Sequence, residues 1–157
     1  MKKGLFTILL CGIIVLASIP TYASSNTKTT KNSALSATLK SNCWIQTLSD
    51  LNGGGDFQVS AEYNSTNANF KNPEWIKTEW NFYSYGLGVG ISVSGISGSI
   101  GGNGTSGSSG HWINSNGARS ASFRGRVYAT GLSIYVGLTN TATAFKAGVP
   151  LSVTAKI

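Results

Sequence analysis

Leu87-Gly-Val-Gly-Ile-Ser-Val-Ser94 alternates an aliphatic side chain with glycine or serine, and Ala121-Ser-Phe-Arg-Gly-Arg-Val-Tyr-Ala129 repeats the alternation. Successive side chains of a strand point to opposite faces, so a period of two marks a strand with one face buried. After Gly131 the pattern resumes one residue out of phase as Leu132, Ile134, Val136 and Leu138, and a similar slip at Gly95 moves Ile96 and Ile100 to even positions. A one-residue slip at glycine predicts a β-bulge.

The flanking sequence reads the same way. Phe57, Val59, Ala61 and Tyr63 alternate with polar residues, Trp75 to Tyr85 is rich in strand-favouring aromatics, and Leu151, Val153, Ala155 and Ile157 supply a last strand over Val149–Ile157. Pro150 is tolerated at its entrance. Asn52-Gly-Gly-Gly55 predicts a turn, and Gly101–Gly110 with Asn114–Gly117 predicts a long Gly/Ser/Asn loop. No helical period persists for ten residues, and Ala34–Lys40 has room for only a turn or two. The fold class expected is therefore all-β: a single antiparallel β-sandwich or barrel domain over 42–157 with a long Gly/Ser-rich loop.

Upstream of that domain, Lys2 and Lys3 precede an apolar run from Leu5 to Ala17, and Thr21-Tyr-Ala23 closes with small residues at the positions a signal peptidase reads. Residues 1–23 thus read as a cleaved secretory signal of bacterial type, too short for the roughly 20 apolar residues of a membrane-spanning helix. Leu10 is too large to precede a lipid-modified Cys11. Residues 24–41 read as a polar flexible leader.

Composition narrows the function classes. The chain has 157 residues, 20 of them glycine, with 41% hydrophobic and 11% charged residues. That excludes a charge-rich disordered chain, and the abundance of Gly, Ser, Thr and Asn argues against a helical bundle. Removing Lys2 and Lys3 with the signal leaves ten basic against five acidic residues. Such a chain is attracted to anionic lipid or cell-wall polymer without being polycationic, and no specific nucleic-acid partner is expected. Cys43 is the one cysteine left after cleavage, so no internal disulfide can form, and its neighbours Trp44 and Ile45 place it in the core.

Site chemistry is sparse. His111 is the sole histidine, with no second histidine or cysteine pair to complete a zinc site. Ser106, Ser108 and Ser109 lie in low-complexity sequence without a nucleophile elbow. Glu74 and Glu79, five residues apart, would fall on opposite faces of a strand, and Glu62 points away from Ala61 and Tyr63. Asp50-Leu-Asn-Gly-Gly-Gly-Asp56 resembles the first half of an EF-hand loop, but Gly54 replaces a ligand and Ala61 stands where the closing glutamate belongs, so a glycine turn is the better reading. No cofactor, metal or catalytic residue is assigned, and no enzymatic activity is expected.

Aromatic and cationic residues carry more. Arg124 and Arg126 lie on the polar side of their strand and, with Tyr128, His111 and Trp112, form the candidate surface or ligand contact through stacking and charge-assisted hydrogen bonds. Trp44, Trp75, Trp80 and Trp112, with Tyr63, Tyr83, Tyr85, Tyr128 and Tyr135, offer a stacking platform for sugars or bases or a belt at a membrane surface, against the reading that most of them fill the core of a small β domain.

Two functional readings follow. The first is a secreted, non-enzymatic β-sandwich binding or interaction protein acting outside the cell or at its surface, with a cell-surface glycan, a protein or an anionic membrane surface as partner. The second is a small secreted pore-forming or membrane-damaging protein that oligomerises and uses the amphipathic hairpin 87–138, with Leu87, Val89, Ile91, Val93, Leu132, Ile134 and Val136 as its membrane-facing residues. A membrane strand needs about 9 to 11 residues, which both arms supply. This pattern resembles the insertion hairpins of secreted β-pore toxins, which stay soluble until oligomers form. The resemblance is compositional, covers roughly a third of the chain and carries no family-specific residue.

Overall fold

The computed structural model describes residues 23–46, 53–95, 105–106 and 108–157, and their backbone is almost entirely antiparallel strand. Eight strands follow in order: β1 (Ala23–Asn32), β2 (Ala37–Gln46), β3 (Gly54–Ser65), β4 (Trp75–Gly95), β5 (Thr105–Ser106), β6 (Ser109–Asn114), β7 (Ser120–Lys146) and β8 (Val149–Lys156). A single 3₁₀ turn, Ala68–Phe70, is capped by the Asn67 side chain.

β7 is the spine. Its first part pairs with β3 from Ser120 to Tyr128, its last part pairs with β8 from Thr139 to Lys146, and its other edge pairs with β4 from Gly125 to Phe145. The order β1-β2-β3-β7-β4-β6-β5, with β8 on β7, therefore folds into two layers of a sandwich-like molecule. One layer holds β1, β2, β3, the start of β7 and the end of β4; the other holds β8, the end of β7, the start of β4, and β5 and β6.

Apolar alternation places the core between them. Leu39, Ala61, Tyr63 and Ala121 from the first layer meet Ile76, Ala142, Ala144 and Leu151 from the second. Farther along, Cys43, Ile45, Phe57, Val59, Phe123 and Val127 meet Trp80, Phe82, Leu138 and Ala155. Trp80 stacks on Phe123 at 4.3 Å between centroids, and Phe57 meets Phe82 edge-on at 4.8 Å, geometries that favour aromatic pairs beyond their buried area. Asn140, with buried Ser41 and Thr78, makes a polar link across the interior. Asn140 accepts from Thr78 Oγ1 at 2.7 Å and donates from Nδ2 to Ser41 Oγ, Asn42 O and Ser60 O, each at 3.0 Å.

The long ladder between β4 and β7 passes from one layer to the other, and each strand carries one extra residue on the way. Pairing jumps from Tyr85–Tyr135 to Gly86–Ser133, leaving Ile134 unmatched, and then from Leu87–Leu132 to Gly90–Thr130, where β4 gains a residue opposite Gly131. The inward positions of β7 accordingly switch from odd (Ala121, Phe123, Val127, Ala129) to even (Leu138, Asn140, Ala142, Ala144). Those of β4 switch from Ile76, Thr78, Trp80 and Phe82 to Ile91 and Val93. A one-residue insertion exchanges the two faces of a strand, so the paired bulges let each strand keep its apolar side inward in both layers.

Several expectations are corrected. The segment expected to be a flexible leader, 24–41, is strand β1 and the first half of β2, tied at the turn by Asn32 Oδ1 accepting from the Leu35 amide at 3.0 Å. Buried Leu35, Ala37 and Leu39 hold it to the core, and there is no helical turn over Ala34–Lys40. The loop expected from Gly101 to Gly117 contains β6, paired with β4 from Ile76 to Asn81, so Leu87–Gly95 and Gly125–Leu132 of the expected hairpin do pair but are not a simple hairpin. Thr139–Lys146, unassigned in the sequence, continues β7 because its alternating Thr and Ala still present one small apolar face. The β7 slip expected at Gly131 occurs at Ile134; Gly131 instead takes φ +79° opposite the extra residue of β4. The slip expected at Gly95, the signal peptide, Cys11 and the turn before Gly53 lie wholly or partly outside the described residues.

Candidate functional site

Pairing across β2, β3 and β7 aligns side chains that are far apart in sequence. Trp44 lies beside Gln58, and Gln58 beside Arg124, in one row across the outer face of the first layer. The next row sets Asp56 beside Arg126, and the next sets Gly54 beside Tyr128. Trp44, Asp56, Phe57, Gln58, Arg124 and Gly125 line an open groove of about 530 Å³. Trp44 and Gln58 also wall a second groove of about 360 Å³ towards Asn42, Ser60 and Glu62.

The two arginines of this face differ. Arg126 Nε lies 3.2 Å from Asp56 Oδ1, and its guanidinium sits 5.8 Å from the Tyr128 ring centroid. Tyr128 in turn lies over Gly54, where a Cβ would come within 2.7 Å of the ring, so only glycine permits this stacking. Arg124 has no carboxylate within ion-pair distance among the described residues. One cation is thus fixed and the other available beside an indole that is 38% exposed. The rest of the face carries amides and hydroxyls and, farther along, Lys40 beside Glu62, with Asn42 Nδ2 donating to Ser60 Oγ and Glu62 Oε1.

A second surface lies at the bulges of the β4–β7 ladder. Tyr85, Leu87, Ile134 and Tyr135 are 65%, 76%, 82% and 45% exposed. Tyr83, Tyr85 and Tyr135 form a ring cluster with centroids 6.0–6.4 Å apart. Tyr83 also donates its hydroxyl to the Ile157 carbonyl and lies under Lys156 Nζ at 4.6 Å. Burial and the neighbouring tyrosines push its phenol up to about 12. Neither β4 from Trp80 to Gly95 nor β7 from Val127 to Phe145 contains an acidic or basic residue.

These two surfaces divide the residues expected to form sites. Arg124, Arg126 and Tyr128 do share one face. His111 and Trp112 are on β6 in the other layer, where His111 pairs with Glu79 and Trp112 packs against both core clusters while its indole donates to Asn114 Oδ1 at 3.1 Å. Trp112 is therefore a core residue rather than part of a surface contact with the arginines. Of the expected membrane-facing residues, Ile91, Val93 and Val136 pack against the core, whereas Leu87 and Ile134 are exposed. The side chains of Val89 and Leu132 lie outside the described residues. Asp56 and Gln58 were not singled out as contacts, and Trp44 only as one of several stacking aromatics; the cross-strand register is what brings them to Arg124.

No protein-family model and no curated protein matches the chain. Among solved structures, it is similar to a chain in the structure of manganese lipoxygenase of Gaeumannomyces graminis and zonadhesin of Komagataella pastoris, with 9% identity and a TM-score of 0.40, over 85% of this chain and 54% of that one. It thus spans about half the length of that chain. A yeast GGA1 GAE domain is similar over 76% of this chain and 88% of its own, with 11% identity and a TM-score of 0.31.

Proposed function

We propose that the protein is a secreted, non-enzymatic β-sandwich binding protein that acts at a cell surface, and that the bend of the β4–β7 ladder is where it meets lipid. The observation that carries this reading is the exposure of Tyr85, Leu87, Ile134 and Tyr135 on the middle stretch of the β4–β7 ladder, which has no ionic side chain between Trp80 and Gly95 on β4 or between Val127 and Phe145 on β7. Contiguous exposed apolar side chains mark interaction surfaces, and tyrosines beside aliphatic residues suit the boundary between headgroups and acyl chains, where a ring has one dry and one wet end. A buried leucine or isoleucine side chain contributes about 1.5–3 kcal/mol, so two suffice for reversible association.

Co-sedimentation of the protein with phosphatidylcholine vesicles tests the reading. The protein is expected to pellet with vesicles, and Leu87→Ser/Ile134→Ser to weaken binding at least tenfold, about 1.4 kcal/mol, with its melting temperature unchanged because both side chains are exposed. A protein that stays in the supernatant, or a double variant that pellets like the parent, would overturn it. The pore-forming reading rests on the 21 and 27 residues of β4 and β7, each well beyond the length needed to cross a bilayer. Dye release from the same vesicles separates the two: leakage supports a pore, and binding without leakage supports surface docking.

A further inference from the structure

We propose that the groove between Trp44 and Arg124 is a binding site for an acidic saccharide, separate from the lipid-facing bend. A sugar ring has an apolar face of C–H groups and an edge of hydroxyls. The partly exposed Trp44 indole offers the flat surface on which such a face stacks, and Gln58, its neighbour in the same row, offers both a donor and acceptors for hydroxyls. Arg124, next in the row and without a carboxylate partner among the described residues, sets the charge of the ligand: a planar guanidinium pairs with a carboxylate in a bidentate geometry. Asp56 also lines the groove, and its ion pair with Arg126 through Oδ1 leaves the second carboxylate oxygen to accept a hydroxyl.

The alternation of signs on this face favours a sugar over a nucleic acid. A phosphate backbone is held by several unpaired cations in succession, and its affinity comes largely from releasing their counterions. Here Arg126 is matched by Asp56, and the adjoining groove carries Glu62 with Lys40 beside it in the register, so Arg124 is the one cation lining the larger groove among the described residues. One available cation between polar and aromatic groups fits a polymer with about one charge per sugar. The open groove of about 530 Å³ has room for such a ligand.

The test is affinity electrophoresis of the protein through gels containing polygalacturonate, neutral dextran or poly(dT). Retardation is expected in polygalacturonate alone, with at least a tenfold weaker effect for Trp44→Ala and for Arg124→Gln. Trp44→Phe should recover most of the binding, because it restores a stacking surface. The Leu87→Ser/Ile134→Ser protein should bind polygalacturonate like the parent, which makes failure here distinct from failure of lipid docking. Absence of retardation, equal retardation in dextran, stronger retardation by poly(dT), or unchanged polygalacturonate binding by Arg124→Gln or by a folded Trp44→Ala protein would each overturn the proposal.

Discussion

Asn140 gives the clearest consequence at the scale of a single residue. Its amide is buried and bonded to groups from β2, β3 and β4, so with buried Ser41 and Thr78 it joins the two layers through a polar contact inside a mostly apolar interior. Asn140→Ala would leave the Thr78 hydroxyl and the Asn42 and Ser60 carbonyls without this partner, and buried polar groups deprived of partners cost about 1–3 kcal/mol each. Chemical denaturation is expected to show a loss of at least about 3 kcal/mol, whereas Thr141→Ala, one residue away on the outer face, should stay within about 0.5 kcal/mol. Cys43 gives a pH signature. Burial pushes its thiol up to about 11, so the folded state holds the proton more tightly than the unfolded chain. That stability is fully present below about pH 9 and is lost as pH rises towards 11. Denaturation midpoints should fall over this interval, and the fall should be smaller in Cys43→Ala.

The strands show which parts of the fold can be read from sequence. Alternation in Phe57–Tyr63, Leu87–Val93 and Ala121–Ala129 identified strands because one buried face imposes a period of two. The exact places where the period slips were not legible. Glycine attracts the assignment because it accepts positive φ, yet the unmatched residue of β7 is Ile134, whose position follows from the register with β4. β1 and β2 were hidden for another reason: their outer positions are Ser, Thr, Asn and Lys, a polar composition shared by loops and by exposed strand faces. The bulge can be tested by moving a charge across it. Val136 packs against the core and Ile134 is exposed, although the two are in phase in sequence. Val136→Asp should lower stability by about 3 kcal/mol or more through a desolvated, unpaired carboxylate, while Ile134→Asp should leave the thermal midpoint nearly unchanged. Equal destabilisation by the two would place both on one inward face and remove the bulge at Ile134.

At the scale of the whole molecule, the two surfaces owe their separation to the course of β7. Its beginning carries Arg124, Arg126 and Tyr128 on the outer face of one layer, and its middle carries Ile134 and Tyr135 at the bend. The sequence disclosed the cationic residues because they stand out in an alternating strand. It concealed Trp44 and Gln58 because their proximity to Arg124 depends on three strands being hydrogen-bonded in one register. This division predicts opposite responses to salt. The stretch of the β4–β7 ladder around the bend has no ionic side chains, so binding to neutral phosphatidylcholine vesicles should change little between about 50 and about 200 mM salt. The Trp44–Arg124 groove depends on an exposed cation, so polygalacturonate binding should weaken over the same range as the Debye length shortens from about 14 to about 7 Å. Measuring both with one protein preparation removes differences in folding or concentration. Parallel salt sensitivity would mean that a single electrostatic surface governs both interactions, and salt-independent polygalacturonate binding would leave stacking on Trp44 without the contribution assigned to Arg124.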